Sequence, residues 1–142
     1  MNKTFPIHNI EHLIPQKRPF VMVDTLVSFS AEEITASFQI KSDNILVEED
    51  EFQEPGLIEN MAQTVALHTG YDYNQKNEKA PTGYIGSIKK SEVLVLPKVG
   101  ETIITKAKIL HEFMGVTMVA VEVFNANNNI IATAQMKTVI AN

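Results

Sequence analysis

Residues 55–69 read Pro55-Gly56-Leu57-Ile58-Glu59-Asn60-Met61-Ala62-Gln63-Thr64-Val65-Ala66-Leu67-His68-Thr69. A proline suits the first turn of a helix because its missing N–H would be unpaired there. Gly70 follows, and glycine often ends helices in the left-handed conformation. The stretch therefore predicts a helix of about four turns over residues 55–69, ended by Gly70.

The apolar side chains of this helix share one face. At 100° per residue they form a single broad arc, which consists of Leu57, Ile58, Met61, Ala62, Val65 and Ala66. Glu59 and Gln63 lie four residues apart at the edge of that arc. A carboxylate in this place faces either the core or a cleft.

The composition is that of a single globular domain spanning residues 1–142. Of the 142 residues, 44% are hydrophobic and 20% are charged, which is too apolar a mixture for a disordered chain. A chain of this length buries a core without disulfides or a metal. The absence of cysteine excludes disulfides, thiolate catalysis and cysteine-bound metals.

The net charge and the N-terminal segment limit which cellular location and which binding partners are expected. The segment from Met1 to Pro6 lacks the apolar core of a signal peptide, and no run of apolar residues is long enough to span a membrane. We therefore predict a cytoplasmic protein. Twelve basic against seventeen acidic residues give a net charge of −5, which argues against nucleic-acid binding.

Six segments have the pattern of β-strands: residues 20–27, 33–41, 84–96, 101–113, 116–124 and 130–140. The first is apolar on both faces, as in a central strand or at a subunit contact. The second places Ile34, Ala36 and Phe38 on one face and polar residues on the other. The last four follow one another through short turns, which indicates an antiparallel sheet.

The remaining segments are shorter or polar. Residues 7–14 have helical spacing and end at Pro15, so they predict a short helix. Residues 42–54 include four consecutive acids, Glu48 to Glu51. Such a run is typical of a solvated loop, because neighbouring acids cannot all converge on one metal and the pattern of a calcium loop is missing. We predict no metal and no cofactor, and a long surface connection over residues 71–83.

A single apolar helix followed by consecutive strands must bury its face against their sheet. The predicted fold class is therefore α+β, with one long helix against an antiparallel sheet of about six strands.

Three stretches of this sequence resemble motifs of one family. They are Leu13-Ile14-Pro15-Gln16-Lys17-Arg18-Pro19-Phe20-Val21-Met22-Val23-Asp24, Glu59-Asn60-Met61-Ala62-Gln63, and Gly83-Tyr84-Ile85-Gly86-Ser87-Ile88 with the later turn Pro97-Lys98-Val99-Gly100-Glu101. In order and spacing they are similar to the N-terminal segment, the central helix and the next strand of 3-hydroxyacyl-ACP dehydratases. The resemblance implies a hotdog fold, in which the sheet wraps the central helix.

The resemblance also implies an active site at a dimer interface, where a histidine of one chain and the helix glutamate of the other flank the substrate. The family histidine lies in a loop before the helix, but residues 44–54 contain none, and Gln16 stands at the histidine of the N-terminal motif. These departures resemble a divergent subgroup, the dehydratase-like proteins of aryl polyene and flexirubin pigment clusters. Members of that subgroup can pair with a second hotdog subunit that contributes the histidine.

Dehydration of a 3-hydroxyacyl thioester needs a base for the C2 proton, an acid for the departing hydroxyl and donors for the thioester oxygen. Glu59 is the candidate acid, and Gln63 is placed to hold the carboxyl or the leaving water. The N–H groups of Gly56 or Leu57 at the helix start are candidate donors, and Gly86 is a further candidate for substrate binding. The alternative for Glu59 is a carboxylate that only stabilises the helix start.

No histidine of this chain matches the family position. His68 follows Glu59 by nine residues, about half a rotation around the helix, so the two cannot meet on one substrate. We predict that His68 packs near the helix end. His8, His12 and His111 are assigned structural or surface roles.

An acyl carrier protein is acidic, so its docking requires basic residues near the substrate tunnel. The candidates are Lys17, Arg18, Lys89 and Lys90. The alternative is that these residues only keep the surface soluble.

Three hypotheses about function follow. The first is a 3-hydroxyacyl-ACP dehydratase of fatty-acid-like or aryl polyene biosynthesis, acting as a homodimer or heterodimer with Glu59 as general acid or base. The second is a non-catalytic or half-site partner subunit of a heterodimeric dehydratase, inactive alone. The third is an acyl thioesterase that uses the helix carboxylate and water.

Overall fold

The structure of the chain is a computed structural model that describes residues 5–140; the first four residues of the segment tested for a signal peptide lie outside this range. The elements in chain order are a 3₁₀ turn (Glu11–Leu13), β1 (Thr25–Phe29), β2 (Glu33–Gln39), β3 (Val47–Glu48), β4 (Glu51–Phe52), α1 (Glu54–Gln75), β5 (Gly83–Val93), β6 (Thr102–Phe113), β7 (Val116–Phe124) and β8 (Ile130–Ile140).

Six of the strands form one antiparallel sheet in the order β1-β2-β6-β7-β8-β5. This confirms the α+β class and the arrangement of one helix against six strands. Strands β2, β7 and β8 lie where the sequence predicts them, and β2 alternates buried Ile34, Ala36 and Phe38 with more exposed residues. Strand β5 pairs with β8 along one side, and its other side pairs with no strand within residues 5–140.

Helix α1 lies across the inner face of the sheet and contacts β2, β5, β6, β7 and β8. Leu57, Met61 and Leu67 are completely buried between the helix and the rest of the chain. Burial of side chains of this size stabilises the fold by about 1.5–3 kcal/mol each. Leu57 and Met61 belong to the apolar arc predicted from the sequence, whereas Leu67 lies outside it, and Ile58, Ala62 and Ala66 of that arc are only half-buried.

The helix does not end at Gly70, as the sequence predicted, but continues to Gln75. Asn77 is the left-handed residue, with a φ of 56°. Its N–H donates to the carbonyl of Asn74, and the N–H of Glu78 donates to the carbonyl of Tyr73. This is the Schellman pattern of a helix end, with asparagine in the place that glycine usually takes. The predicted surface connection is therefore shorter than residues 71–83.

Gly70 has a packing role instead. A Cβ at this position would overlap the carbonyl oxygen of Leu13 in the 3₁₀ turn. Glycine is required because the N-terminal backbone crosses the helix at this point.

Residues 5–24, here called the N-terminal strap, run along α1 from its end toward its start. The ring of Phe5 lies 5.7 Å from that of Tyr71, Leu13 touches Gly70, and Met22 is bonded to Asn60. The helix predicted over residues 7–14 is only the 3₁₀ turn, because Ile7 extends the sheet edge through backbone bonds to Leu26.

The strand predicted over residues 20–27 begins only at Thr25. Met22 and Val23 are buried between α1 and the sheet edge, whereas Phe20 is 60% exposed, so the apolar run does not form a central strand. The backbone of this run bonds to helix side chains instead of to a neighbouring strand.

The acidic run is a small hairpin rather than an irregular loop. Strands β3 and β4 pair through Val47 with Phe52 and Glu48 with Glu51. Glu49 and Asp50, both with positive φ, form the turn between them. The acids are mostly exposed, in agreement with the predicted solvated character, and Phe52 is buried next to the helix start.

Candidate active site

Glu59 lies on the side of α1 that residues 5–140 leave uncovered. The sheet covers the side of Leu57 and Met61, and the N-terminal strap covers the side of Asn60 and Gln63. The remaining arc of roughly 100° is called here the open face, and its exposed or half-buried members are Pro55, Ile58, Glu59, Ala62 and Ala66. Glu59 is thus an exposed carboxylate surrounded by small or apolar side chains of its own helix.

Gln63, one turn after Glu59, is fully buried and bonds to the strap. Its Oε1 accepts a hydrogen bond from the N–H of Met22 at 2.6 Å, and its Nε2 donates to the carbonyl of Phe20 at 2.9 Å. One N–H of the amide is left for another acceptor. The catalytic role predicted for Gln63 stays a prediction, and its observed role is to hold the strap.

Asn60 joins three parts of the fold and was not singled out from the sequence. Its Nδ2 donates to the carbonyl of Met22 at 2.7 Å, and its Oδ1 accepts from the hydroxyl of Thr105 in β6 at 2.6 Å. The backbone carbonyl of Asn60 accepts from Thr64. Asn60 lies outside the apolar arc predicted from the sequence, so its burial had no signal there, and its bonds are those expected of a buried amide.

The predicted thioester donors at the helix start are not free. The N–H groups of Gly56 and Leu57 both donate to the carbonyl of Gln53, at 2.9 and 3.2 Å. A Cβ at Gly56 would overlap the ring of Phe52, so this glycine admits the hairpin to the helix start. These N–H groups are not free because α1 begins at Glu54, and the carbonyl of its N-cap residue Gln53 accepts the first bonds of the helix.

Gly86 lies in β5, where the pairing with β8 shifts register between Ile85 and Ser87. Gly86 is the extra residue of this bulge, and a Cβ there would approach Val139 closely, at 3.2 Å from its Cγ2. Its proposed part in substrate binding stays a prediction.

The histidines make contacts elsewhere. The Nε2 of His68 lies 2.9 Å from the carbonyl of Ser30, and its ring stacks on Phe29 at 4.7 Å. The predicted packing role is confirmed, but the helix end lies seven residues further on, at Gln75. His8 bonds through Nδ1 to the hydroxyl of Thr25 at 3.3 Å. Neither of these bonds involves Glu59.

Two of the four candidate docking residues, Lys17 and Arg18, belong to the strap and bond to other residues within it. The Nζ of Lys17 donates to the carbonyls of Glu11 and Ile14, where it caps the 3₁₀ turn. Arg18 forms an exposed ion pair with Glu11 at 3.0 Å. Lys89 and Lys90 are exposed on β5 and stay candidates for carrier docking.

Two groups with shifted pKa values lie near the end of α1. Burial raises the pKa of the Tyr71 hydroxyl. The hydrogen bond to Asp72 and its negative charge raise the pKa of Lys76. Both groups lie at the opposite end of the helix from Glu59. In residues 5–140, no helix is both long and apolar enough to cross a membrane.

Comparison with known proteins adds the family and the fold relatives. The sequence model of the ApeP-like family, described as ApeP dehydratase, matches residues 8–142. The dehydratase heterocomplex ApeI:P from Xenorhabdus doucetiae contains a similar chain, with 15% identity and a TM-score of 0.87, over 99% of this chain and 93% of that one.

More distant likenesses include structures that hold coenzyme A or its acetyl thioester. The structure of smu.793 from Streptococcus mutans UA159 bound to acetyl CoA has a TM-score of 0.71 and 16% identity, over 90% of this chain and 95% of that one. A hypothetical thioesterase with coenzyme A from Streptococcus pneumoniae TIGR4 has a TM-score of 0.68 and 10% identity, over 82% and 84%. No curated protein sequence matches the chain. At these identities the solved structures establish the shared fold.

Proposed function

Because the chain belongs to the ApeP-like dehydratase family, we propose that it takes part in the dehydration of 3-hydroxyacyl chains carried as thioesters on an acyl carrier protein. Glu59 is the group that transfers the proton. The cytoplasmic location and the aryl polyene or fatty-acid-like pathway predicted from the sequence belong to the same proposal.

The observation that carries the proposal is the position of Glu59 on the open face of α1. Proton transfer to a leaving hydroxyl near neutral pH needs a carboxyl whose charged form is disfavoured, and loss of water around it has that effect. In the single chain Glu59 is exposed. A second subunit that covers Ile58, Ala62 and Ala66 would remove water from Glu59 and enclose the acyl chain.

Strand β5 is the place where such a subunit would attach. Its outer edge pairs with no strand of the described residues. Ile85 and Ile88, 40% and 39% exposed, lie on its helix side opposite Thr138 and Met136. Exposed apolar residues beside an open strand edge favour edge-to-edge pairing. A strand added there would continue the sheet and bring the partner against the open face of α1.

The first experiment compares two glutamates of the same helix. A purified 3-hydroxyacyl carrier protein is incubated with the chain and its partner, and loss of water is followed by mass spectrometry of the intact carrier. Glu59→Gln is expected to lower the rate by about 10²–10⁴-fold. Glu54→Gln, an exposed acid in the first turn, serves as the matched control and should leave the rate near that of the wild type.

A second candidate is the inactive partner subunit of a heterodimeric dehydratase. It is favoured by the hydrogen bonds of His8 and His68, which go to Thr25 and Ser30 rather than to Glu59. The similar chain from Xenorhabdus doucetiae belongs to a heterocomplex. If this candidate is right, the chain purifies together with a histidine-bearing hotdog subunit, and Glu59→Gln in the complex leaves the rate unchanged.

The thioesterase candidate rests on the fold shared with a hypothetical thioesterase that holds coenzyme A. Release of free thiol from an acyl thioester separates it from a dehydratase, which leaves the thioester intact. The chain has no cysteine, so a thiol reagent reports only the released product.

A further inference from the structure

The outer face of the sheet, which points away from α1, is apolar at the end where the turn between β6 and β7 lies. Phe113, Val116, Val139 and Tyr84 are direct cross-strand neighbours along β6, β7, β8 and β5. They alternate with residues on the helix side, so all four point outward. We call them the apolar row. Phe113 and Tyr84 are 65% and 59% exposed.

In the two rows next to it on the same face, the positions on β6, β7, β8 and β5 are basic, whereas acids begin at their border: Glu33 of β2 pairs with Lys108, and the following row contains Glu92 and Glu122. One contains Lys108, Ala120, Gln135 and Lys89, and the other contains His111, Met118, Lys137 and Ser87. These eight positions hold three lysines and a histidine but no acid, although the whole chain has a net charge of −5. We call Lys89, Lys108 and Lys137 the basic band.

We propose that the apolar row and the basic band form the docking surface for the acyl carrier protein; this rests on the proposed function. An acidic partner is attracted to the band, and an apolar residue of the partner packs on the row. A second copy of this chain fits the surface less well, because two basic bands would face each other. Lys108 and Lys137 were not among the docking residues predicted from the sequence, because only the sheet register brings them beside Lys89.

The surface also lies where a carrier could serve a shared site. Antiparallel pairing of two β5 edges puts the Tyr84 end of one strand beside the Val93 end of the other. The Val93 end lies near the start of α1, because Leu94 bonds to Ile131, and Asn60 in the first part of α1 bonds to Thr105 at the same end of the sheet. A carrier docked on one subunit would therefore lie at the same end of the joined sheet as the helix start of the other, on the opposite face of the sheet.

The test measures the Kd between a phosphopantetheinylated acyl carrier protein and the complex that contains this chain. Lys108→Glu/Lys137→Glu is expected to weaken binding at least about tenfold, and the wild-type affinity should fall as salt rises from about 50 to about 300 mM. The matched control, Lys41→Glu/Lys79→Glu, makes the same charge change at exposed lysines off this face and should change the Kd much less. Phe113→Ala should weaken binding without altering its dependence on salt.

Several outcomes would overturn the docking surface. One is an equal loss of carrier affinity in the two double variants, and another is an unchanged affinity in Phe113→Ala. A third is that these residues are needed for binding to anionic vesicles or for self-association, but not for carrier binding. The failures of surface and function are distinguishable. Dehydration that persists with unchanged carrier affinity in Lys108→Glu/Lys137→Glu refutes the surface alone, whereas carrier binding through the band without any loss of water refutes the function alone.

Discussion

At the scale of single residues, the glutamine of the recognised helix motif has a measurable structural role. Gln63 bonds the N–H of Met22 and the carbonyl of Phe20, and Asn60 bonds the carbonyl of Met22. Two of the stretches that resemble the dehydratase family are therefore bonded to each other. The sequence predicts each of the two stretches separately, but only the structure shows that side chains of the helix hold the strap in place through hydrogen bonds.

Gln63→Leu should destabilise the fold by about 2–5 kcal/mol, because it leaves a buried N–H and a carbonyl without partners. The measurement is the urea midpoint of unfolding at constant slope. Gln75→Leu, at the exposed end of the same helix, is the control and should change the stability little. Equal midpoints for Gln63→Leu and the wild type would show that the strap does not need these bonds.

For Gly70→Ala, helix propensity and tertiary packing predict opposite changes in stability. Helix propensity alone predicts a gain of about 0.5–1 kcal/mol for alanine inside a helix. The contact with the Leu13 carbonyl predicts a loss of more than about 1–3 kcal/mol, because backbone must move. Thermal unfolding of Gly70→Ala beside Thr69→Ala decides between the two, and a higher Tm for Gly70→Ala would contradict the packing.

At the scale of elements, the strands that alternate cleanly were predictable and the strap was not. Residues 116–124 and 130–140 form β7 and β8 as predicted, because each buries one face against α1. Residues 20–23 carry the same apolar signal but bond to helix side chains. Hydrophobicity reports burial, and burial between a helix and a sheet edge has the same signature as burial within a sheet.

The end of α1 shows the same limit. Both Gly70 and Asn77 favour a left-handed conformation, and only Asn77 adopts it. Asn77→Ala should lower the free energy of unfolding by about 1–2 kcal/mol, because alanine disfavours positive φ more than asparagine does. Asn77→Gly should leave the stability unchanged or raise it. Circular dichroism during urea unfolding measures both, and equal stability of the two variants would argue against this helix end.

At the scale of the whole molecule, the fold class and the position of Glu59 at the edge of the apolar arc could be predicted from the sequence. The openness of that edge could not, because it depends on which sides of α1 the strap and the sheet cover. The N–H groups of Gly56 and Leu57 are likewise not free donors, because both already donate to the carbonyl of Gln53.

The chain therefore presents a carboxylate on an open helix face and a free strand edge next to it, an arrangement that a second hotdog subunit would complete. The proposal implies that the chain alone dehydrates slowly and gains activity when the partner is added. An unchanged rate on addition of the partner would indicate that the homodimer of this chain is sufficient.

The most direct test is the rate of dehydration by the assembled complex when only Glu59 of this chain is changed to glutamine. The complex with Glu59→Gln should form normally by size-exclusion chromatography and convert the 3-hydroxyacyl carrier about 10²–10⁴-fold more slowly than the complex with Glu54→Gln. Full activity in an intact Glu59→Gln complex would contradict the assignment of Glu59 as the proton-transfer group.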